Sequence, residues 1–173
     1  MRDFPMAGGM RLADIGGMSQ PHSSPGHHAL RKGRSSEPGR VYLLTTTTAG
    51  RVPVFADALA AHAACRRFED TRLLGDARML AWVLMPDHVH WLLALGDAKP
   101  LHKVVESLKC GSARDVNAAL GRRGTLWAKA YHDRALRHEE DVRAAARYVV
   151  ANPLRARLVD CIGQYPYWNA IWL

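Results

Sequence analysis

The chain has 173 residues, 48% of them hydrophobic, which is enough for one domain with a real core. Its formal charge is +8, with nine histidines besides, and +3 of that charge falls in residues 1–40 and +5 beyond. Such a balance favours a polyanionic partner, nucleic acid ahead of an anionic membrane surface.

A membrane role is not expected. No apolar run approaches the roughly 20 residues that a spanning helix needs, and the first residues lack the apolar stretch of a secretory signal. Cys65, Cys110 and Cys161 are odd in number and far apart. They form neither a CxxC motif nor a disulfide framework, and read as reduced thiols of a cytoplasmic protein.

Residues 1–39 are rich in Gly, Ser, Pro, His and Arg, with no sustained period. They cannot bury enough apolar area to offset the entropy of ordering, and read as a flexible basic leader. Met10 and Met18 leave the true start open. The remainder, residues 40–173, reads as the folded domain. Val41–Thr48 is β-branched and apolar, a first strand. Phe55 to Phe68 is Ala-rich and amphipathic, with Asp57 near its start, a first helix. Residues 78–85 form a second strand, Pro86-Asp87 a tight turn, and residues 88–95 a third strand. Pro100 opens a long helix to about Leu120, with Leu101, Val104, Val105 and Leu108 on one stripe. Residues 131–137 make a fourth strand. Glu139-Glu140-Asp141 puts acid on the first turn of another helix, where the dipole favours it. That helix must end near Asn152, because Pro153 disfavours helical geometry before it. Residues 154–161 form one more short helix. The order βαββαβ predicts an α+β, ferredoxin-like antiparallel sheet with helices on one face, plus an extra C-terminal helix carrying Tyr148.

The densest chemistry lies in Met85-Pro86-Asp87-His88-Val89-His90-Trp91. Side chains at i and i+2 of a strand share a face, roughly 6.5–7 Å apart. His88 and His90 can therefore chelate one metal ion while Val89 faces the core. Burying two imidazoles is costly unless each is paired, and a shared metal satisfies both. No His or Asp follows two residues after His90, and no Cys pair completes a zinc site. Tyr148 and Asn152 are one helical turn apart and share a face. A helical phenol beside a metal-binding pair suggests phosphodiester chemistry through a covalent tyrosine intermediate. A divalent ion and nearby arginines, of which Arg147, Arg155 and Arg157 flank the tyrosine, would activate it. The plain alternatives are a core histidine pair, an anchoring tyrosine and a solvated basic surface.

Residues 81–90, Leu126-Trp127 with Tyr131-His132-Asp133-Arg134-Ala135-Leu136-Arg137, and Arg147-Tyr148-Val149-Val150-Ala151-Asn152-Pro153-Leu154-Arg155-Ala156 together resemble the REP-associated tyrosine transposases. These are HUH single-strand transposases of small insertion sequences, U being a hydrophobic residue. The resemblance implies that His88 and His90 hold Mg²⁺ or Mn²⁺ at the scissile phosphate and that Tyr148 is the nucleophile. Asn152 stands where relatives have Gln or Asn as a third ligand. Imidazole is softer than Mg²⁺ prefers, so Mn²⁺ should bind more tightly. Arg157 stands where relatives commonly have Gly, and Trp91 where an aliphatic is usual.

The implied partner is single-stranded DNA that folds into hairpins beside a short guide sequence, cut to give a 5′-phosphotyrosine and a free 3′-OH. The enzyme would act as a monomer or a homodimer. Candidate backbone contacts are Arg40, Lys103, Lys109, Arg114, Arg134 and Arg137, with Arg147 and Arg155 at the site. Trp127 and Tyr131 are candidates for stacking unpaired bases, with core packing as the competing role. A non-catalytic nucleic-acid-binding module on the same fold explains the charge but leaves the histidines and Tyr148-Asn152 without a reason. A metallophosphoesterase using water would cut without a protein–DNA adduct.

Overall fold

A computed structural model describes residues 36–136 and 139–172, with residues 139–141 described as backbone alone. The leader expected over residues 1–39 therefore falls, up to residue 35, outside the described residues, as does Arg137.

Strand β1 (Val41–Thr47) alternates buried and half-buried positions along its length, as its β-branched, apolar sequence requires of a strand covered more deeply on one face. Strand β2 (Arg78–Met85) is buried at every position but Arg78. The Pro86-Asp87 turn folds β2 onto β3 (His88–Ala94), pairing Met85 with His88. Short strands β4 (His132–Ala135) and β5 (Trp168–Ala170) complete a five-stranded sheet. The order is β4-β1-β3-β2-β5 with every neighbour antiparallel. The first four strands have the ferredoxin-like order that the sequence predicts, and β5 adds an edge beside β2.

Helices α1 (Ala58–Cys65) and α3 (Leu101–Ala119) cover one face of the sheet. They share a core with Tyr42, Leu44, Val89, Trp91 and Leu93. Helix α4 (Glu139–Val150) covers the other face, where Ala146, Val149 and Val150 pack with Val83, Met85 and Leu92. The short helices α2 (Thr71–Leu74) and α5 (Asn152–Arg155) lie between the main elements. No helix among the described residues is long and apolar enough to cross a membrane.

The expected helix over 55–68 is trimmed to α1 because the Asp57 carboxylate caps it, accepting from the backbone N–H groups of Leu59 and Ala60 at 2.8 and 3.0 Å. The short helix expected over 154–161 starts earlier, as α5, and is stopped by its own end. Leu158 N–H donates to Pro153 O and Arg157 N–H to Leu154 O, each at 3.0 Å, while Arg157 takes φ 54°. That pair of bonds around a left-handed residue is a Schellman cap, a position that favours glycine.

Trp127 corrects an expectation. Offered above as a base-stacking residue, it is only 4% exposed. Its ring lies 5.1 Å from that of Phe55 and 6.2 Å from that of Trp91, and its indole N–H donates to Ser112 Oγ at 3.0 Å. Ser112 Oγ in turn donates to Leu108 O at 2.7 Å. The indole is committed to joining the loop before β4 to α3, which leaves no ring face for a base. Tyr131, half-buried against the same core, is largely committed to packing as well.

Two stability changes are expected. Ser112→Ala strands the buried indole N–H and should cost about 1–3 kcal/mol in chemical denaturation. Arg157→Gly should raise stability by up to about 1 kcal/mol, since relief of the left-handed strain exceeds the extra chain entropy of glycine.

Candidate active site

The period of two along β3 splits the strand between the two cores. Val89, Trp91 and Leu93 are fully buried toward α1 and α3, so His88 and His90 point to the face that α4 covers. Their rings meet edge to face, centroids 4.9 Å apart and planes at 88°.

Each imidazole is held through Nδ1. His90 Nδ1 shares a 2.7 Å hydrogen bond with Thr45 Oγ1, from the residue paired with it across β1. His88 Nδ1 lies 2.6 Å from Asp87 Oδ1, and Arg51 Nη1 donates to the other oxygen of Asp87 at 3.0 Å. Burial works against the Asp87 carboxylate, but hydrogen bonds from His88 and Arg51 outweigh it and hold its pKa below the ordinary value. An ionised Asp87 accepts from His88 Nδ1–H, so Nε2 is the ring nitrogen not engaged by it. Burial, with smaller contributions from the charges of His88 and Arg155, pushes His90 down to about 4. At neutral pH its ring is uncharged and able to donate a lone pair.

Helix α4 lies against β2, β3 and β5 on the histidine face and presents Tyr148 at 53% exposure. The chain leaves the helix through Asn152, whose side-chain amide donates to Tyr148 O at 3.1 Å and Val149 O at 2.9 Å. Arg155 then folds back. Its guanidinium carbon stands 3.8 Å over the centroid of the Tyr148 ring, Nη1 donates to Tyr148 O at 2.9 Å, and Nη2 donates to Asn152 Oδ1 at 2.6 Å. The same guanidinium acts electrostatically on His90. Arg155 thus packs back onto the tyrosine and asparagine at the end of α4.

Two imidazoles on one face of a strand with their Nδ1 atoms engaged make a donor set suited to a divalent ion. Among the described residues no group of three or more His, Cys, Asp or Glu could hold a metal. Any further ligands would have to be oxygens from elsewhere, such as a phosphate, water or the Asn152 amide. Asn152 Oδ1 is taken by Arg155 in this arrangement.

The remaining basic residues divide by face. Lys103, Lys109 and Arg114 ride on α3, across the sheet from the histidines. Lys103 is paired with Glu106 at 2.8 Å, and Lys109 Nζ donates to the carbonyls of Ala128 and Lys129. Arg114 is exposed, 4.0 Å from Asp115, and Arg40 is paired with Glu37 at 2.8 Å. Arg134 is exposed on the edge strand β4, opposite Leu43 and so on the histidine face. Arg147 is exposed on α4 beside Tyr148. Sequence reading missed Thr45, Asp87 and Arg51 as orienting residues. Asp87 is legible beside His88, but Thr45 is one of four consecutive threonines, and only strand register singles it out.

With this geometry in view, comparison with known proteins is informative. The family model described as "Transposase IS200 like" matches residues 41–152, from the first residue of β1 to Asn152. Among solved structures, the fold is similar to a REP-associated tyrosine transposase bound to a REP hairpin, with TM-score 0.60 and 19% identity over 78% of this chain and 79% of that one. A protein from Deinococcus radiodurans R1, provisionally described as a transposase, gives TM-score 0.48 and 27% identity over 70% of this chain and 96% of that one. Among curated proteins none matches the sequence.

The depressed His90 pKa gives a titration test. By NMR in metal-free protein, the His90 ring should titrate near pH 4, and Arg155→Ala should move it upward by removing a positive charge. The folded pKa lies below the unfolded value of 6.5, so the unfolded chain binds more protons between the two. The contribution of His90 to stability is therefore complete above about pH 6.5 and is lost as pH falls through 4. The family match spans both histidines, Tyr148 and Asn152, and on that match the chain belongs to the IS200-like transposase family.

Proposed function

We propose that this protein is a metal-dependent single-stranded DNA endonuclease and strand transferase of the REP-associated, HUH single-tyrosine kind. The observation that carries the reading is the half-exposed Tyr148 on the helix that covers the histidine face, with the Arg155 guanidinium stacked on its ring.

Tyr148 Oη attacks the phosphorus of a backbone phosphodiester. A bond forms between that oxygen and phosphorus, the bond to the 3′-oxygen breaks, and the departing oxygen takes up a proton to become a 3′-OH. The 5′ side stays on the protein as a phosphotyrosine. A 3′-OH from the same or another strand then attacks this ester, restoring the phosphodiester and the Tyr148 phenol. The two displacements conserve bond energy, so rejoining needs no external source, and the covalent intermediate divides one hard step into two.

His88 and His90 would hold the divalent ion, Mg²⁺ or Mn²⁺, with Asp87 and Thr45 fixing their orientation. Bound there, such an ion supplies Lewis-acid polarisation of the phosphate oxygens. Arg155 holds the ring of Tyr148 in place and balances negative charge at the phosphate. Asn152 is the candidate third ligand, provided its oxygen is released from Arg155.

Helix α4 lies on the sheet of its own chain, an arrangement that suits action as a monomer or as a homodimer. The partner fitting this chemistry is single-stranded DNA with hairpins, the ligand type in the similar solved structure.

The test is incubation with labelled single-stranded hairpin DNA and Mn²⁺, read on a denaturing gel. Wild type should yield a protein–DNA adduct and Tyr148→Phe none. His88→Ala and His90→Ala should bind DNA yet leave it uncut, and EDTA should abolish cutting. An adduct from Tyr148→Phe would remove the nucleophile assignment. Cleavage without any adduct would favour water as the nucleophile, and binding without cleavage would favour a purely nucleic-acid-binding role.

A further inference from the structure

Along one flank of α4, Arg143, Ala146, Arg147 and Trp172 line a cleft of about 280 Å³. Arg143 and Arg147 are four residues apart on the helix, so their guanidinium groups lie one turn apart on one face. Both are exposed, and neither has an ion pair or hydrogen bond to another residue among those described. Trp172 follows β5 and is 40% exposed, the only tryptophan among the large exposed hydrophobic residues described. An indole left open to solvent beside two exposed cations has no structural purpose in the core.

The geometry points to this cleft as a binding site for one unpaired nucleotide of a single strand, its base stacked on Trp172 and its phosphate held by Arg143 and Arg147. The chemistry matches at both ends. Every base has a π-face for an indole, and paired guanidiniums suit phosphate oxygens. The volume is at the small end of the roughly 300–1,000 Å³ typical of ligand pockets, which suits one base and excludes a duplex. Ala146 between the arginines leaves the floor open. The position also fits a strand that reaches the tyrosine, because the cleft lies on the helix that carries Tyr148. The cleft would hold a nucleotide next to the bond that is cut, a placement that rests on the function proposed above, whereas binding itself does not.

The experiment measures equilibrium binding in EDTA, where no cleavage can contribute. Full-length protein is titrated against a short fluorescein-labelled oligothymidylate and against an abasic strand of equal length, by anisotropy across a salt series. Wild type should prefer the base-bearing strand, and Trp172→Ala should weaken that strand alone by about five- to a hundredfold. Trp172→Phe should recover most of the loss. The double change Arg143→Gln with Arg147→Gln should weaken both strands alike and flatten the salt slope by about 0.7 for one released phosphate. Trp172→Ala binding both strands as wild type does, or losing both equally, would overturn the site, as would an unchanged slope in the arginine variant. Thermal melting of each variant shows that the fold is kept, and Trp172→Leu, apolar but without a π-face, carries the same test should Trp172→Ala not fold. A base preference that depends on Trp172 in a protein that never forms an adduct would uphold the cleft and sink the tyrosine chemistry. An adduct with no such preference would do the reverse.

Discussion

Strand β3 is covered on both faces, and that constraint organises the rest of the molecule. One face supplies Val89, Trp91 and Leu93 to the larger core, so the other must carry His88 and His90 beneath α4. Imidazoles in such a place destabilise the fold unless their polar atoms find partners. Thr45 and Asp87 satisfy the two Nδ1 atoms from neighbouring backbone positions, and Arg51 secures Asp87 in turn. What remains unsatisfied is one nitrogen on each ring. The packing that makes β3 a stable central strand therefore also leaves a pair of electron-pair donors facing the same way.

The end of α4 obeys a comparable logic. Pro153 cannot continue the helix with a normal hydrogen bond, so its last carbonyls need other donors. The Asn152 amide and Arg155 provide them, and both bonds converge on Tyr148 O. Capping the helix thus brings a guanidinium over the Tyr148 ring. The Schellman turn at Arg157 then directs the chain away. A requirement of helix termination and an arrangement useful for phosphodiester chemistry are met by the same few side chains.

The positive charge is less uniform than its total implies. On the α3 side, Lys103 has a carboxylate partner and Lys109 holds the loop carbonyls, so those charges are committed to the fold. On the histidine face, Arg134 and Arg147 remain exposed. A strand lying across that face would meet exposed cations, whereas Lys103 and Lys109 on the opposite face are held by partners. Net charge alone carries no such distinction, because pairing depends on which helix faces meet solvent together.

Much of this was legible in the residues themselves. Alternation marked β1, β2 and β3, the Pro86-Asp87 turn marked the hairpin, and the spacing of Leu101, Val104, Val105 and Leu108 marked α3, because these signals are local and periodic. His-Val-His set the two imidazoles on one face by the geometry of any strand. Trp127 was ambiguous for a physical reason: an indole serves a core or a surface equally well, and only Phe55, Trp91 and Ser112 closing around it decided the matter. Strand β5 was missed because three residues carry no period and pair with β2 across a long separation. Which threonine of four meets His90, and which partner orients each ring, follow from strand register and packing. Those are decided by long-range packing, and no local run of residues encodes them.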